Sequence, residues 1–192
     1  LKYEDLHRTA RHIDRLIDHN LPSKNAPFPP QSTLESLVTY NFPDLYVTSH
    51  GWHKLVFGSH SAGNTVVLKV GPKKTIENDH RVYKQVPEKQ RHQYFAKIYW
   101  HTKYCLLQQY GLPTHVNPER LREMRQAIYR YGIFDIKAEN LRLIDGELKI
   151  IDANVTRVPL PTILRKIDEA KPRLPSKLHL FIKKVTKRFY ER

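Results

Sequence analysis

The chain has 192 residues and a hydrophobic share of 40%, enough to bury a core as one domain or a small two-lobed unit. Its formal net charge is +14, so its surface attracts phosphates, whether on nucleotides, nucleic acid, acidic proteins or anionic lipid headgroups. The single cysteine, Cys105, excludes an internal disulfide, the eleven histidines lack zinc-ligand spacing, and no apolar run approaches the roughly 18 residues that span a bilayer. With no secretory signal peptide read, cytoplasmic residence is the expectation.

Tyr3, Leu6, Ala10, Ile13, Leu16 and Ile17 recur at helical spacing and predict an amphipathic helix over residues 3 to 19. Pro22, Pro27, Pro29 and Pro30 read as a linker, and Leu34, Leu37 and Val38 as a short helix ending before Pro43. From Leu45 the pattern turns to strands: Leu45 to Thr48, Leu55 to Phe57, and Thr65 to Val70, the last two joined by a glycine-bearing turn between Gly58 and Asn64. A helix is predicted from about Thr75 to Val86, stopped by Pro87, then strands from Tyr94 to Trp100 and from Tyr104 to Gln109. Asn117 and Pro118 open a further helix with Leu121, Met124, Ile128 and Tyr131 on its buried stripe. The segment around Asp135 reads as a loop, and Asp145-Gly146 joins two short strands at 141–143 and 148–151. Helices are expected near 162–170 and 176–190.

The chemistry concentrates in Asp135-Ile136-Lys137-Ala138-Glu139-Asn140 and in Lys149-Ile150-Ile151-Asp152. Phosphoryl transfer needs such a set: a carboxylate to accept a hydroxyl proton, a cation to steady the moving phosphoryl group, and two oxygen donors for Mg²⁺. These segments resemble the catalytic loop and metal-binding Asp of the protein-kinase superfamily. The resemblance covers roughly residues 45–156 and implies an α+β, protein-kinase-like two-lobed fold. A five-stranded antiparallel N-lobe sheet with one helix would be followed by a reduced, mainly helical C-lobe. The boundaries that follow are a helical extension and Pro-rich linker at 1–43, an N-lobe at 44–110 and a reduced C-lobe at 111–192.

The resemblance also implies roles. Asp135 matches the catalytic base and Lys137 the loop lysine typical of protein kinases, where small-molecule kinases of the aminoglycoside type carry other residues. Asn140 and Asp152 match the metal ligands. Asp152-Ala153-Asn154 stands where the family has Asp-Phe-Gly, so the aromatic that swings in regulated kinases is replaced by Ala153. Lys69, ending Val-Val-Leu-Lys, matches the strand lysine that contacts the α- and β-phosphates of ATP and pairs with a helix acid, here Asp79 or Glu77. The covering loop keeps only Gly51 of three glycines, with His53 and Lys54 as added cations. Gln109-Tyr110-Gly111 resembles the adenine-contacting hinge, with Gln108 near the gatekeeper position.

Ile133-Phe134 replaces the usual His-Arg, and no Ala-Pro-Glu follows Asn154, so the chain resembles small bacterial kinase-like proteins, bacterial effector kinases and lipopolysaccharide-core sugar kinases with trimmed C-lobes. The implied function is a Mg²⁺- and ATP-dependent phosphotransferase, a minimal serine/threonine kinase in the cytoplasm, or in a host cytosol for an effector. A sugar or lipopolysaccharide-core kinase and a pseudokinase-like nucleotide- or nucleic-acid-binding module are the alternatives. A protein substrate is the expected partner. Lys177, Lys183, Lys184, Lys187 and Arg188 interleave with apolar residues near the chain's end, a basic amphipathic pattern suited to an anionic membrane surface or an acidic partner, with nucleic acid less favoured.

Overall fold

Period-two patterning from Leu45 onward builds a sheet. In the computed structural model, which describes residues 3–23, 26–129, 131–133 and 136–152, five strands pair. They are β1 (Leu45–His50), β2 (Leu55–Ser59), β3 (Gly63–Val70), β4 (Ile98–His101) and β5 (Cys105–Gln109). All pairings are antiparallel, in the spatial order β1-β2-β3-β5-β4. Helices α1 (Tyr3–Asn20) and α2 (Gln31–Asn41) precede the sheet, while α3 (Lys73–Gln85) and α4 (Glu88–Tyr94) lie between β3 and β4. Helix α5 (Pro118–Tyr129) and the hairpin of β6 (Leu141–Ile144) and β7 (Glu147–Ile150) follow. The fold class is α+β.

Residues paired across a ladder share one face of the sheet. Leu55, Val70 and Cys105 form one such row, and Phe57, Leu68 and Leu107 the next. Helix α1 sets Leu6, Ala10, Ile13 and Ile17, spaced three and four apart, into the same buried cluster, joined by Leu34 and Val38 of α2. The β4–β5 turn is tied to α1 through Asp14, which accepts hydrogen bonds from the Thr102 hydroxyl (3.0 Å) and the backbone N–H groups of Lys103 (3.0 Å) and Tyr104 (2.9 Å). The segment expected to be an N-terminal extension therefore shares a core with the strands.

A second cluster gathers Val82 and Tyr83 of α3, Phe95, Met124 and Ile128 of α5, Ile136, Leu141 and Ile150. Helix α3, assigned from sequence to the sheet's own unit, thus buries part of its stripe against the elements that follow. The 145–146 turn has φ of 51° at Asp145 and 79° at Gly146, the left-handed pair that a tight Asp-Gly hairpin requires. The hairpin is stitched to the segment that follows β5 by mutual backbone bonds between Leu112 and Leu143, both 2.9 Å.

One element departs from expectation. Residues 88–94 are helical, and the strand expected from Tyr94 begins only at Ile98. Helix α4 buries none of its residues, so it carries no apolar period for a sequence reading to detect. No described helix is long and apolar enough to cross a membrane. The helices expected near 162–170 and 176–190, with the basic pattern at the chain's end, lie outside the described residues.

Candidate functional site

The sheet face away from α1 carries the charge. Val56, Lys69 and Leu106 pair across β2, β3 and β5, and Val67 pairs with Gln108, so these side chains share that face. Of these, Val56, Val67, Lys69 and Gln108 border a pocket of about 140 Å³ together with Gln109, Tyr110 and Gly111, and Arg142 and Ile151 line it too. Gly111 sits where the chain leaves β5 and presses on the hairpin. A Cβ there would lie 2.5 Å from Arg142 Cβ and 2.6 Å from Ile144 Cγ1, so only glycine fits this approach. Gln109 donates to the Asp145 carboxylate at 3.1 Å, a second tie across the same junction.

Two lysines converge behind this pocket. Lys69 is buried and donates to the carbonyl of Ile151 at 2.6 Å. Lys54, just ahead of β2, donates to Asp79 at 2.5 Å and to Asp152 at 3.0 Å. Its route is opened by Gly71, where a Cβ would stand 2.8 Å from both His53 O and Lys54 Cγ. The side chains of Lys54 and Asp79 are 9% and 7% exposed, and that of Asp152 is 33% exposed, so only Asp152 opens to solvent.

Burial disfavours the Lys54 ammonium, but the carboxylates of Asp79 and Asp152 outweigh it and hold the pKa above the ordinary lysine value. Lys69 goes the other way: burial, reinforced by the charges of Lys54 and Arg142, pulls its pKa down against Asp152 and Asp79. Burial pushes the Asp79 carboxyl up, and contact with the Lys54 ammonium is the main influence favouring its ionised form.

This arrangement corrects the expected pairing. Lys69 is not the partner of the helix acid; Lys54 is. The reason is reach: Lys69 is engaged by Ile151, while Lys54 enters beside Gly71 and meets the buried face of α3 at Asp79. Glu77 lies on the exposed side of α3 and faces Lys73 at 3.6 Å, so it takes no part. Lys54, expected to offer its charge to phosphates from the covering loop, has its ammonium on two carboxylates instead. Gly51 lies in that loop, its N–H donating to Lys54 O at 2.9 Å, with Trp52 beside it almost fully exposed.

No family model matches the chain, and no curated protein matches it.

The remaining site residues follow α5. Ile136 is buried in the second cluster and its carbonyl accepts a 2.7 Å bond from Arg125 Nε, which anchors the loop. Lys137 precedes a single 3-10 turn at Ala138–Asn140 and is exposed, its ammonium 4.0 Å from Glu139. The N–H of Ile151 donates to Asn140 O at 2.9 Å, so Asn140 lies one residue from the level of Asp152. Asp135 lies outside the described residues.

Asp152 and Asn140 offer hard oxygen donors, and among the described residues no three His, Cys, Asp or Glu side chains gather as a metal site. Hard oxygen donors of this kind are the type that Mg²⁺ takes. Sequence reasoning overlooked Val56, Val67 and Arg142. The two valines were legible as strand residues, and only register assigns them to the pocket face. Arg142 carried no signal, because its position depends on how the hairpin docks under β5.

Proposed function

We propose that this chain is a Mg²⁺- and ATP-dependent phosphotransferase of protein-kinase-like, two-lobed form, transferring phosphate to a hydroxyl of a protein serine or threonine. The observation that carries the reading is the convergence of Lys69, Lys54, Asp79 and Asp152, far apart in sequence, beside a pocket bordered by Gln109 and Gly111. Adenine would rest between Val56 and Val67 of the sheet and the 109–111 segment. Lys69 and Arg142 would face the phosphates. Asp152 and Asn140 would hold the metal, which when bound spreads the negative charge of the phosphates. Asp135 would accept the hydroxyl proton and Lys137 would steady the transferring group.

The test is transfer of labelled phosphate from ATP in the presence of Mg²⁺, offered to mixed proteins and, separately, to a lipopolysaccharide core. Label in protein that disappears in Asp152→Ala supports the reading. Label in the glycolipid moves it to a sugar kinase. A second reading, a nucleotide-binding module without turnover, draws on Lys54 occupying Asp152. Nucleotide binding by the wild type with no transfer to any acceptor would favour it.

A further inference from the structure

Lys54 is the residue that the proposed reaction does not use. A lysine engaged by two carboxylates, one of them a candidate metal ligand, must affect what that ligand binds. Among the described residues, the charges of Lys54 and Arg142 both bear on Lys69, and Lys54 contacts the carboxylates of Asp79 and Asp152. Three basic side chains thus stand against two carboxylates among the described residues, and the Lys54 ammonium lies 3.0 Å from an Asp152 oxygen. Such a site attracts polyanions and repels a lone dication, the more so because its inner part is shielded from water.

Resting on the phosphotransferase reading, we propose that Lys54 is a positioning residue that makes divalent-ion binding at Asp152 conditional on a nucleotide triphosphate. Clamped by Asp79, its ammonium holds the Asp152 carboxylate in place and cancels its charge. A free divalent cation gains little there. The ion enters with a triphosphate, whose negative charges outweigh Lys54, Lys69 and Arg142 together. The tie also runs through the backbone. Lys54 ends the loop between β1 and β2, so the same contact fastens that loop to α3 and to Asp152. Lys69 has no share in this clamp, because its ammonium is directed to the Ile151 carbonyl.

The test is Mn²⁺ binding, read by the loss of the free-ion paramagnetic signal, with and without a non-hydrolysable ATP analogue. Wild-type protein binds Mn²⁺ weakly alone and at least about tenfold more tightly with the analogue. Lys54→Met, without nucleotide, binds Mn²⁺ about tenfold more tightly than wild type, the scale expected when a cation in contact with a ligand is removed from a partly shielded site. Asp152→Asn in that background removes the gain.

Lys54→Met strands a buried carboxylate and can fail to fold. Lys54→Met with Asp79→Asn removes both partners and keeps the cleft's net charge. It shows a smaller gain of about threefold, from loss of the direct contact with Asp152 alone. Equal Mn²⁺ affinity of wild type and these variants without nucleotide would overturn the proposal and leave the phosphotransferase reading untouched. Absence of any nucleotide-dependent gain in wild type would overturn both.

Discussion

The two faces of the five-stranded sheet are made by alternate residues of the same strands, yet they have opposite chemistry. One is closed by α1 and α2 over Leu55, Phe57, Leu68, Val70, Cys105 and Leu107, all fully or almost fully buried. The other carries Lys69 and Gln108, both 3% exposed, with Lys54 and Asp79 beside them. Burial stabilises the first face with every apolar group removed from water. On the second it opposes folding, because each charge loses its hydration and recovers it only in part through a partner. The first face is a core and the second carries the candidate site, and substitutions on them should fail differently.

The sharpest separation is functional. Under the proposed function, Asp152→Ala on the cleft face is expected to lower phosphate transfer by about a thousandfold or more with the circular-dichroism spectrum unchanged, since it removes the proposed metal ligand without opening the core. Retained transfer in that variant rejects the metal assignment.

Stability comes next. Lys54→Met leaves Asp79 buried without its ammonium and should cost about 3–5 kcal/mol in chemical denaturation, with changed metal binding in whatever fraction folds. Ile13→Ala on the α1 face should cost about 2–5 kcal/mol, yet leave the dissociation constant of the ATP analogue unaltered. A weakened nucleotide affinity in Ile13→Ala would break the contrast between the faces.

A smaller effect is expected at the junction below β5. Gly111→Ala forces a methyl against Arg142 and Ile144 and should cost about 1–3 kcal/mol. It should also shift the pocket's edge, so nucleotide affinity and melting temperature fall together. Loss of stability alone would show that the 109–111 segment is not part of the binding surface.

The smallest effect is a pH dependence away from the site. Asp44 is partly buried, which raises its pKa, but hydrogen bonds from Ser59 and Ser61 outweigh this and lower it overall. A carboxyl with a depressed folded pKa stabilises fully above its unfolded value of about 3.9, and that stabilisation is lost as pH falls through the lower folded value. The urea midpoints of wild type and Asp44→Asn should therefore differ at neutral pH and converge in acid. A difference that persists below the folded pKa would assign the effect to shape rather than charge.

Much of this fold was legible in the sequence because its signals are local. The stripe Leu6, Ala10, Ile13 and Ile17 marks a helix at any position in a chain, and Asp145-Gly146 marks a tight hairpin wherever it falls. Helix α4 was not legible, since none of its residues is fully buried and only Tyr94, at its end, packs on the core. In the candidate site, Asp79 or Glu77 was expected to pair with Lys69, whereas Asp79 meets Lys54. Its partner Lys54 stands 25 positions earlier, and Lys54's other partner 98 positions later.

By itself, then, the sequence determined the order and type of most elements, the chemical inventory of the site and the chain's positive charge, because periodicity and composition act over a few residues. Which lysine meets which carboxylate, and which valines border the pocket, was decided only in three dimensions. Strand register sets the facing residues, and the absence of a side chain at Gly71 and Gly111 sets how closely distant segments approach. Those are contacts between positions far apart along the chain, and no local pattern encodes them.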